Sequence, residues 1–240
     1  MEAWANATNA AAFDPAADDV FARIAGRYDR LCDVFSLLAH RLWKARIAAL
    51  MAREQGAIAL DVASGTGDIP VRLLRRGGGP TKILVTDICP QMLAQAEKKL
   101  PHSGRVELRR LDAHALDIAD ASVDVYSISF GMKICDRARV LTEAYRVLRP
   151  GGAFYCLEAA RIPFEPLHQL YLAYMNWCLP FIARIATSDA SAYNYLLRGI
   201  HEFPRQAAFA EELRQRGFAH VTYENLTFGI VAIHRGVKPL

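Results

Sequence analysis

The 240-residue sequence contains no apolar run of the ~20 residues that a membrane-spanning helix needs. The nearest stretch, Tyr171 to Ala183, is short and interrupted by Pro180. No C-x-x-C pair occurs. The five cysteines (Cys32, Cys89, Cys135, Cys156 and Cys178) are odd in number and widely spaced, which argues against a disulfide framework or a structural zinc site. Cys89, Cys156 and Cys178 sit in apolar company and read as small buried hydrophobes. Net charge is scarce, at +4, and basic and acidic residues alternate without a basic block. Nothing therefore calls for a nucleic-acid groove, while a slightly basic surface suits anionic lipid. His168, His201 and His234 have no partner at ligand spacing, so no metal is expected. The first residues carry Glu2 and lack a positive segment and a continuous apolar core, unlike a secretory signal. The expectation is a soluble protein, cytoplasmic or peripheral to a membrane. No internal repeat and no low-complexity tract is present.

Hydrophobic residues make up 52% of the chain and charged residues 22%, enough for one sizeable core. Residues 1–19 read as a flexible tail, and 20–240 as a single domain. From Val20, Phe21, Ile24, Tyr28 and Leu31 recur at helical spacing, and a second helix is expected over Leu42 to Met51. The rhythm then changes. Short apolar runs at 58–62, 82–86, 105–110, 123–129 and 153–158 alternate with amphipathic stretches at 69–76, 90–100 and after Asp136, a helix-capping residue. Arg149-Pro-Gly-Gly152 is expected to stop the last of these. Strands alternating with helices predict a doubly wound, mostly parallel sheet of the α/β class. Residues 163–205, aromatic-rich and broken by prolines, read as a helical cap insertion after N-terminal helices within 20–55. A helix over Gln206 to Gly217 and strands over Ala219 to Asn225 and Phe228 to His234 follow. The tight turn near Leu226-Thr227 makes an antiparallel edge hairpin and brings the sheet to seven strands.

The first strand ends in Asp61-Val-Ala-Ser-Gly65-Thr66-Gly67-Asp68. Glycines at a strand-to-helix turn let a ligand approach the backbone closely. Pro70 stands where a dinucleotide fingerprint has its third glycine, and Asp61 would repel phosphates. A cationic, phosphate-free ligand fits better, and S-adenosylmethionine is such a ligand. Neighbouring strand ends meet at the ligand crevice of a doubly wound sheet. Asp87 there can accept both ribose hydroxyls, Asp112 can accept from an adenine amino group, and Ser129 faces the same crevice. Three acids at successive strand ends carry more weight than any one of them as a turn residue.

Several stretches together resemble the UbiE family of quinone C-methyltransferases. They are Phe21-Ala-Arg-Ile-Ala-Gly-Arg-Tyr-Asp29, His40-Arg-Leu-Trp-Lys44, Asp61 to Asp68, Thr86-Asp-Ile88, Ile128-Ser-Phe-Gly131, Tyr145-Arg-Val-Leu-Arg-Pro-Gly-Gly152, Phe203-Pro-Arg-Gln206 and Asn225-Leu-Thr-Phe-Gly-Ile-Val-Ala-Ile-His-Arg-Gly236. The glycine turn and the R-P-G-G segment are common to many methyltransferases. H-R-L-W-K and the 225–236 stretch are far more specific. The resemblance implies a class I, Rossmann-like methyltransferase fold, with cofactor contacts at Thr66, Asp87, Asp112, Ala113 and Ser129 and a polyprenylated quinol as substrate. It also implies a cytoplasmic protein peripheral to the inner membrane, as a homodimer or in a quinone-biosynthesis complex.

The departures fall on the substrate side. Where the family carries Leu-Arg-Asn after Ser-Phe-Gly, this chain has Met132-Lys133-Ile134. Lys133 keeps the charge but loses the planar fork, and Ile134 has no hydrogen-bonding group. Ser191 and His201 replace a family acid and a family Arg. Lys133, Tyr193 and His201 are the catalytic candidates, and Tyr28, Trp43, Tyr171, Tyr174, Trp177, Tyr193 and Tyr195 could together line an apolar pocket. Changes clustered on that side make the first expectation a relative of the rhodoquinone-forming group RquA, which replaces a ring methoxy of ubiquinone with an amino group. The alternative is ring C-methylation of demethylmenaquinone or a polyprenyl benzoquinol. A non-catalytic scaffold that binds the cofactor is a third reading.

Overall fold

The structure, a computed structural model, describes residues 15–54, 56–101, 103–175 and 203–240, with 15–19 as backbone. Seven strands form one sheet: β1 (Ile58–Val62), β2 (Lys82–Asp87), β3 (Val106–Arg110), β4 (Val123–Ser129), β5 (Leu148–Ala159), β6 (Ala219–Leu226) and β7 (Val231–Val237). Their order across the sheet is β3-β2-β1-β4-β5-β7-β6. The pairs among β1 to β5 are parallel, and β7 runs antiparallel between β5 and β6.

Side chains alternate between two buried faces, which is why the central strands read as nearly unbroken apolar runs. Leu60, Tyr126 and Phe154 are aligned across β1, β4 and β5. They pack with α6 (Arg137–Val147) and α8 (Gln206–Gln215) through Val140, Leu141, Phe209 and Leu213. Their neighbours Ala59, Val125 and Ala153 point the other way. There they join α3 (Ala39–Met51), α4 (Asp68–Arg76) and α5 (Pro90–Lys99) through Ile47, Met51, Leu73 and Ala96. Strand order reverses between β1 and β4, so the crevice beyond their carboxyl ends is where a ligand is expected. The N-terminal helices α1 (Pro15–Ile24) and α2 (Tyr28–Phe35) and the later α7 (Glu165–Ala173) are also described.

Five boundaries differ from expectation, each for a local reason. The tail gives way to helix at residue 15, because Pro15 is pre-shaped for a first helical turn. The long N-terminal helix is split by the 3-10 turn Ala25–Arg27 around Gly26, a poor helix former. Two left-handed residues, Leu37 (φ 47°) and Leu38 (φ 68°), then turn the chain into α3 three residues before Leu42. Arg149-Pro-Gly-Gly152 does end α6 but already lies in β5, which joins β4 through a register shift between Val123 and Val125. Finally, the last strand starts at Val231 and not at Phe228. Thr227–Gly229 forms a 3-10 turn with all three residues at positive φ, closed by the Ile230 N–H donating to the Thr227 carbonyl at 3.1 Å.

Asp136 caps α6 as its sequence position suggests, accepting from the N–H groups of Ala138 and Arg139 at 3.0 and 3.2 Å. Cys89 and Cys156 are buried, and Cys178 lies outside the described residues. No helix among the described residues is long and apolar enough to cross a membrane.

Candidate functional site: two adjoining cavities

The turn after β1 is held from below. Asp61 is fully buried and accepts a hydrogen bond from the Ser127 hydroxyl at 2.5 Å and another from Ser64. Burial pushes its carboxyl up to about 6, against the pull of those two hydroxyls. Ala63, Gly65 and Gly67 all take positive φ, which the glycines adopt without strain. A Cβ on Gly67 would lie 3.0 Å from the Ala96 Cβ, so this glycine lets α4 approach α5. A Cβ on Gly65 would point into open space. The Gly65 N–H donates to Asp87 Oδ2 at 2.7 Å, and Asp87 Oδ1 accepts from the Cys89 N–H at 2.8 Å. The Asp87 carboxylate is thus fixed by backbone amides at the end of β2.

Gly65, Asp87, Asp112, Ala113 and Ser129 line one small cavity of about 80 Å³, together with Tyr28, Phe130 and Ile134. Five of the eight residues expected at the cofactor therefore converge. The other three stand behind the turn. Asp61 supports it, Gly67 packs it, and the buried Thr66 directs its hydroxyl to Asp29 Oδ1 of α2 at 2.6 Å. Asp112 Oδ1 accepts from both the backbone N–H (2.9 Å) and ring Nδ1 (2.6 Å) of His114. Burial raises the Asp112 carboxyl, but the His114 hydrogen bonds reverse this and leave it below its ordinary value. Ser129 Oγ is buried with no hydrogen-bond partner.

A second cavity of about 510 Å³ lies on the other side of Tyr28 and Phe130, which line both. Its walls are aromatic and aliphatic (Phe35, Trp43, Tyr171, Tyr174, Met175, Ile230), with a few polar groups from Ser36, His40, Lys44, Lys133 and Thr227. Trp43 Nε1–H donates to Thr227 Oγ1 at 2.7 Å, joining two stretches that stand 184 residues apart in sequence. Ser36 Oγ lies 2.8 Å from His40 Nδ1. Burial and the nearby Lys44 cation hold the His40 imidazole down at about 4, hence neutral at physiological pH. Lys44 pairs with Asp68 at 2.8 Å. Burial would raise the Asp68 carboxyl, but Lys44, Arg72 and Lys99 around it win and hold it well below the usual carboxylate range.

Lys133 lines this cavity, but its ammonium is committed. Nζ donates to Glu158 Oε1 at 3.0 Å and to the Phe130 carbonyl at 2.5 Å, and its side chain is only 3% exposed. Glu158 Oε2 accepts from the Lys133 N–H at 3.1 Å, while Oε1 also accepts from the Ala159 N–H at 2.8 Å. Lys133 thus anchors the loop after β4 to the end of β5. Ile134 faces the smaller cavity. Of the aromatic set, Tyr28, Trp43, Tyr171 and Tyr174 line the larger cavity, while Trp177, Tyr193, Tyr195 and the candidate His201 lie outside the described residues.

Sequence reasoning passed over His40, Lys44, Glu158 as an ion-pair partner, and His114. A signal existed for the first two: spacing of four residues puts His40 and Lys44 on one face of α3. The family-specific stretches also meet. Gln206 Nε2 donates to Asn225 Oδ1 at 3.0 Å, and the His234 Nε2–H donates to the Gln206 carbonyl at 2.9 Å.

A glycine turn at the switch point, carboxylates at the ends of β2 and β3, and an unpaired hydroxyl at the end of β4 suit the ribose and amino donors of an adenosyl group. With the seven-stranded sheet they define a class I methyltransferase that uses S-adenosylmethionine. Solved structures share the fold. A SAM-dependent methyltransferase of Thermotoga maritima superposes with a TM-score of 0.67 at 18% identity, over 92% of this chain and 99% of that one. Phosphoethanolamine N-methyltransferase 2 of Haemonchus contortus, bound to S-adenosyl-L-methionine, gives 0.57 at 16% identity, over 78% of this chain and 50% of that one. The chain belongs to the ubiE/COQ5 methyltransferase family, whose sequence model matches residues 9–238. It is 43% identical to the ubiquinone/menaquinone biosynthesis C-methyltransferase UbiE of Acidiphilium cryptum, over 91% of this chain and 88% of that one. It is 40% identical to the mitochondrial 2-methoxy-6-polyprenyl-1,4-benzoquinol methylase of Schizosaccharomyces pombe, over 92% and 78%. The protein is therefore a SAM-dependent methyltransferase, which sets the scaffold reading aside.

Proposed function

We propose that the protein methylates a ring carbon of a polyprenylated quinol held in the larger cavity. The observation that carries this reading is the common wall: Tyr28 and Phe130 border both cavities, so a flat ring in the larger one lies against the cofactor's chamber. The printed activities of the two relatives, C-methylation in quinone biosynthesis and benzoquinol methylation, point the same way.

When bound, S-adenosylmethionine supplies an electrophilic methyl group. The chain's own contribution is positioning and the exclusion of water. Trp43, Phe130 and Tyr171 give the ring flat apolar walls, and the Trp43–Thr227 hydrogen bond fixes one of them. A neutral His40 offers a ring hydroxyl a polar partner without adding charge. The buried Lys133–Glu158 pair fixes the loop that carries Phe130 at the wall between the two cavities. Asp87, Asp112 and Ser129 hold the adenosyl group.

Exchange of a ring methoxy for an amino group is the second reading. One observation favours it: Ile134 turns an alkyl group toward the cofactor cavity, where the resemblance leads one to expect an amide. Expression in a host that makes ubiquinone but lacks its own methylase of this family separates the two. Mass spectrometry of lipid quinones is expected to find the methylated product. An amino-substituted quinone in its place would overturn the reading.

We also infer that the protein works at the cytoplasmic face of the inner membrane. Leu37 lines the larger cavity and is 73% exposed, and Leu38 and Leu42 beside it are exposed too. An apolar rim at the entrance suits delivery of an isoprenoid substrate from lipid. Liposome flotation of the wild type and of Leu37→Ser/Leu42→Ser tests this, with retention by the wild type alone as the expected outcome.

A further inference from the structure

His114 is buried and lines the cofactor cavity, yet the methyl-transfer chemistry makes no use of it. It is hydrogen-bonded on both sides of its ring. Asp136 N–H donates to Nε2 at 3.0 Å, so that nitrogen is an acceptor and the ring proton sits on Nδ1. Nδ1–H then donates to Asp112 Oδ1 at 2.6 Å, and the His114 backbone N–H donates to the same oxygen at 2.9 Å. These bonds leave Asp112 Oδ2 as the acceptor available to a ligand. Asp136 is also the cap of α6, and it directly follows the turn that carries Lys133 and Ile134.

We propose that His114 is a positioning residue for base recognition: it fixes the orientation of the Asp112 side chain, so that the oxygen turned to the ligand accepts from the 6-amino group of an adenine. A 6-oxo base would bring a carbonyl oxygen against that carboxylate and is rejected. The inference rests on the adenosyl cofactor alone and not on which ring is methylated.

The test is equilibrium binding by calorimetry, with S-adenosylhomocysteine and S-inosylhomocysteine as the two probes. They differ only at the 6-position of the base. The wild type is expected to prefer the adenosyl probe by about ten- to hundredfold, the usual cost of leaving a desolvated acceptor facing another acceptor. In His114→Ala only the backbone N–H still holds Asp112 Oδ1, the carboxylate is free to turn about that bond, and the preference falls to about threefold or less. His114→Asn retains a donor toward Asp112 and keeps most of the preference. Asp112→Asn sharpens the result. His114 binds the amide oxygen and turns the amide N–H groups to the ligand, so the preference is expected to reverse toward the inosyl probe. In Asp112→Asn/His114→Ala, with only the backbone N–H left to orient the amide, the reversal weakens. A purely architectural His114 would lower the melting temperature and weaken both probes alike, leaving their ratio unchanged. An unchanged ratio in His114→Ala, or an Asp112→Asn variant whose preference does not depend on His114, would overturn the proposal. Quinone analysis tests the ring reaction separately, so failure of either inference leaves the other standing.

Discussion

The two cavities flanking Tyr28 and Phe130 are built by different means. In the cofactor cavity each acid has a partner close by in sequence: Asp87 is held by Cys89, Asp112 by His114, and Asp61 by Ser64, each within two or three residues. Parallel strand pairing then brings these turns side by side, and longer links, from Ser127 to Asp61 and from Gly65 to Asp87, join them. The larger cavity is assembled from distant residues: Trp43 with Thr227, Lys133 with Glu158, Lys44 with Asp68. Its shape exists only once the whole sheet has closed. A carboxylate with a partner in its own turn depends less on packing elsewhere than a wall whose partner is distant in the chain.

The sharpest way to break the contrast is at the buried ion pair. Glu158→Ala leaves the Lys133 ammonium in a dry site, and a loss of roughly 3–5 kcal/mol in urea unfolding is expected. The double change Lys133→Met/Glu158→Leu removes both charges and is expected to recover most of that loss. If Glu158→Ala proved as mild as a surface substitution, the larger cavity would not depend on the pair.

Next in size is the pH dependence of stability. The imidazoles of His40, beside the larger cavity, and His234, in β7, are both held down at about 4 by burial, against an ordinary 6.5. Below 6.5 the unfolded chain takes up protons that the folded chain refuses. Unfolding free energy is thus highest above pH 6.5 and falls as pH drops toward 4, by up to about 1.4 kcal/mol per pH unit for each group. Asp61, raised to about 6, works the other way: its folded form favours the proton as pH falls from 6 toward 4, offsetting part of the loss. Urea midpoints across this range, compared with His40→Gln, measure the share of the larger cavity. A flat profile would contradict the buried, neutral imidazoles.

On the cofactor side, Asp87→Ala removes the acceptor of two backbone amides as well as the carboxylate proposed to take the ribose. Binding of S-adenosylhomocysteine is expected to weaken by about a hundredfold or less, in line with ~1–3 kcal/mol for unpaired buried donors. The gentlest probe is Trp43→Phe. It keeps a ring but deletes the N–H that reaches Thr227, a change worth about 1 kcal/mol. The expected signature is a raised KM for the quinol with cofactor affinity unchanged. An equal effect on both ligands would mean that the two cavities are not separable.

The same contrast explains what was legible beforehand. Strand and helix positions around the cofactor follow from periodicity and from punctuation at Gly65, Gly67, Pro90 and Asp136, and these are local signals. Gly65, Asp87, Asp112, Ala113 and Ser129 were identifiable because each sits at a strand end whose position could be read. Thr66 and Asp61 have the same address but face the other way, and sequence does not say toward which side a turn residue points. Lys133 was named a catalytic candidate without its ion-pair partner, because Glu158, 25 residues later, is brought to it only by the pairing of β4 with β5. The hairpin turn was misjudged by three residues because Thr227 answers to Trp43, far away in the chain. His114 went unread because a histidine two residues after an aspartate looks like any other until its second nitrogen finds the α6 cap.

The insertion of β7 between β5 and β6 also constrains how the chain is made. During synthesis the glycine turn, the acids of β2 and β3 and the first five strands leave the ribosome well before Val231–Val237. Until then β5 exposes a row of unpaired amides and carbonyls, the usual starting point for wrong partners. The nascent protein thus passes through a stage in which its cofactor half is complete in sequence while its sheet is still open along one side. Chaperone demand for this enzyme should therefore be concentrated in that interval.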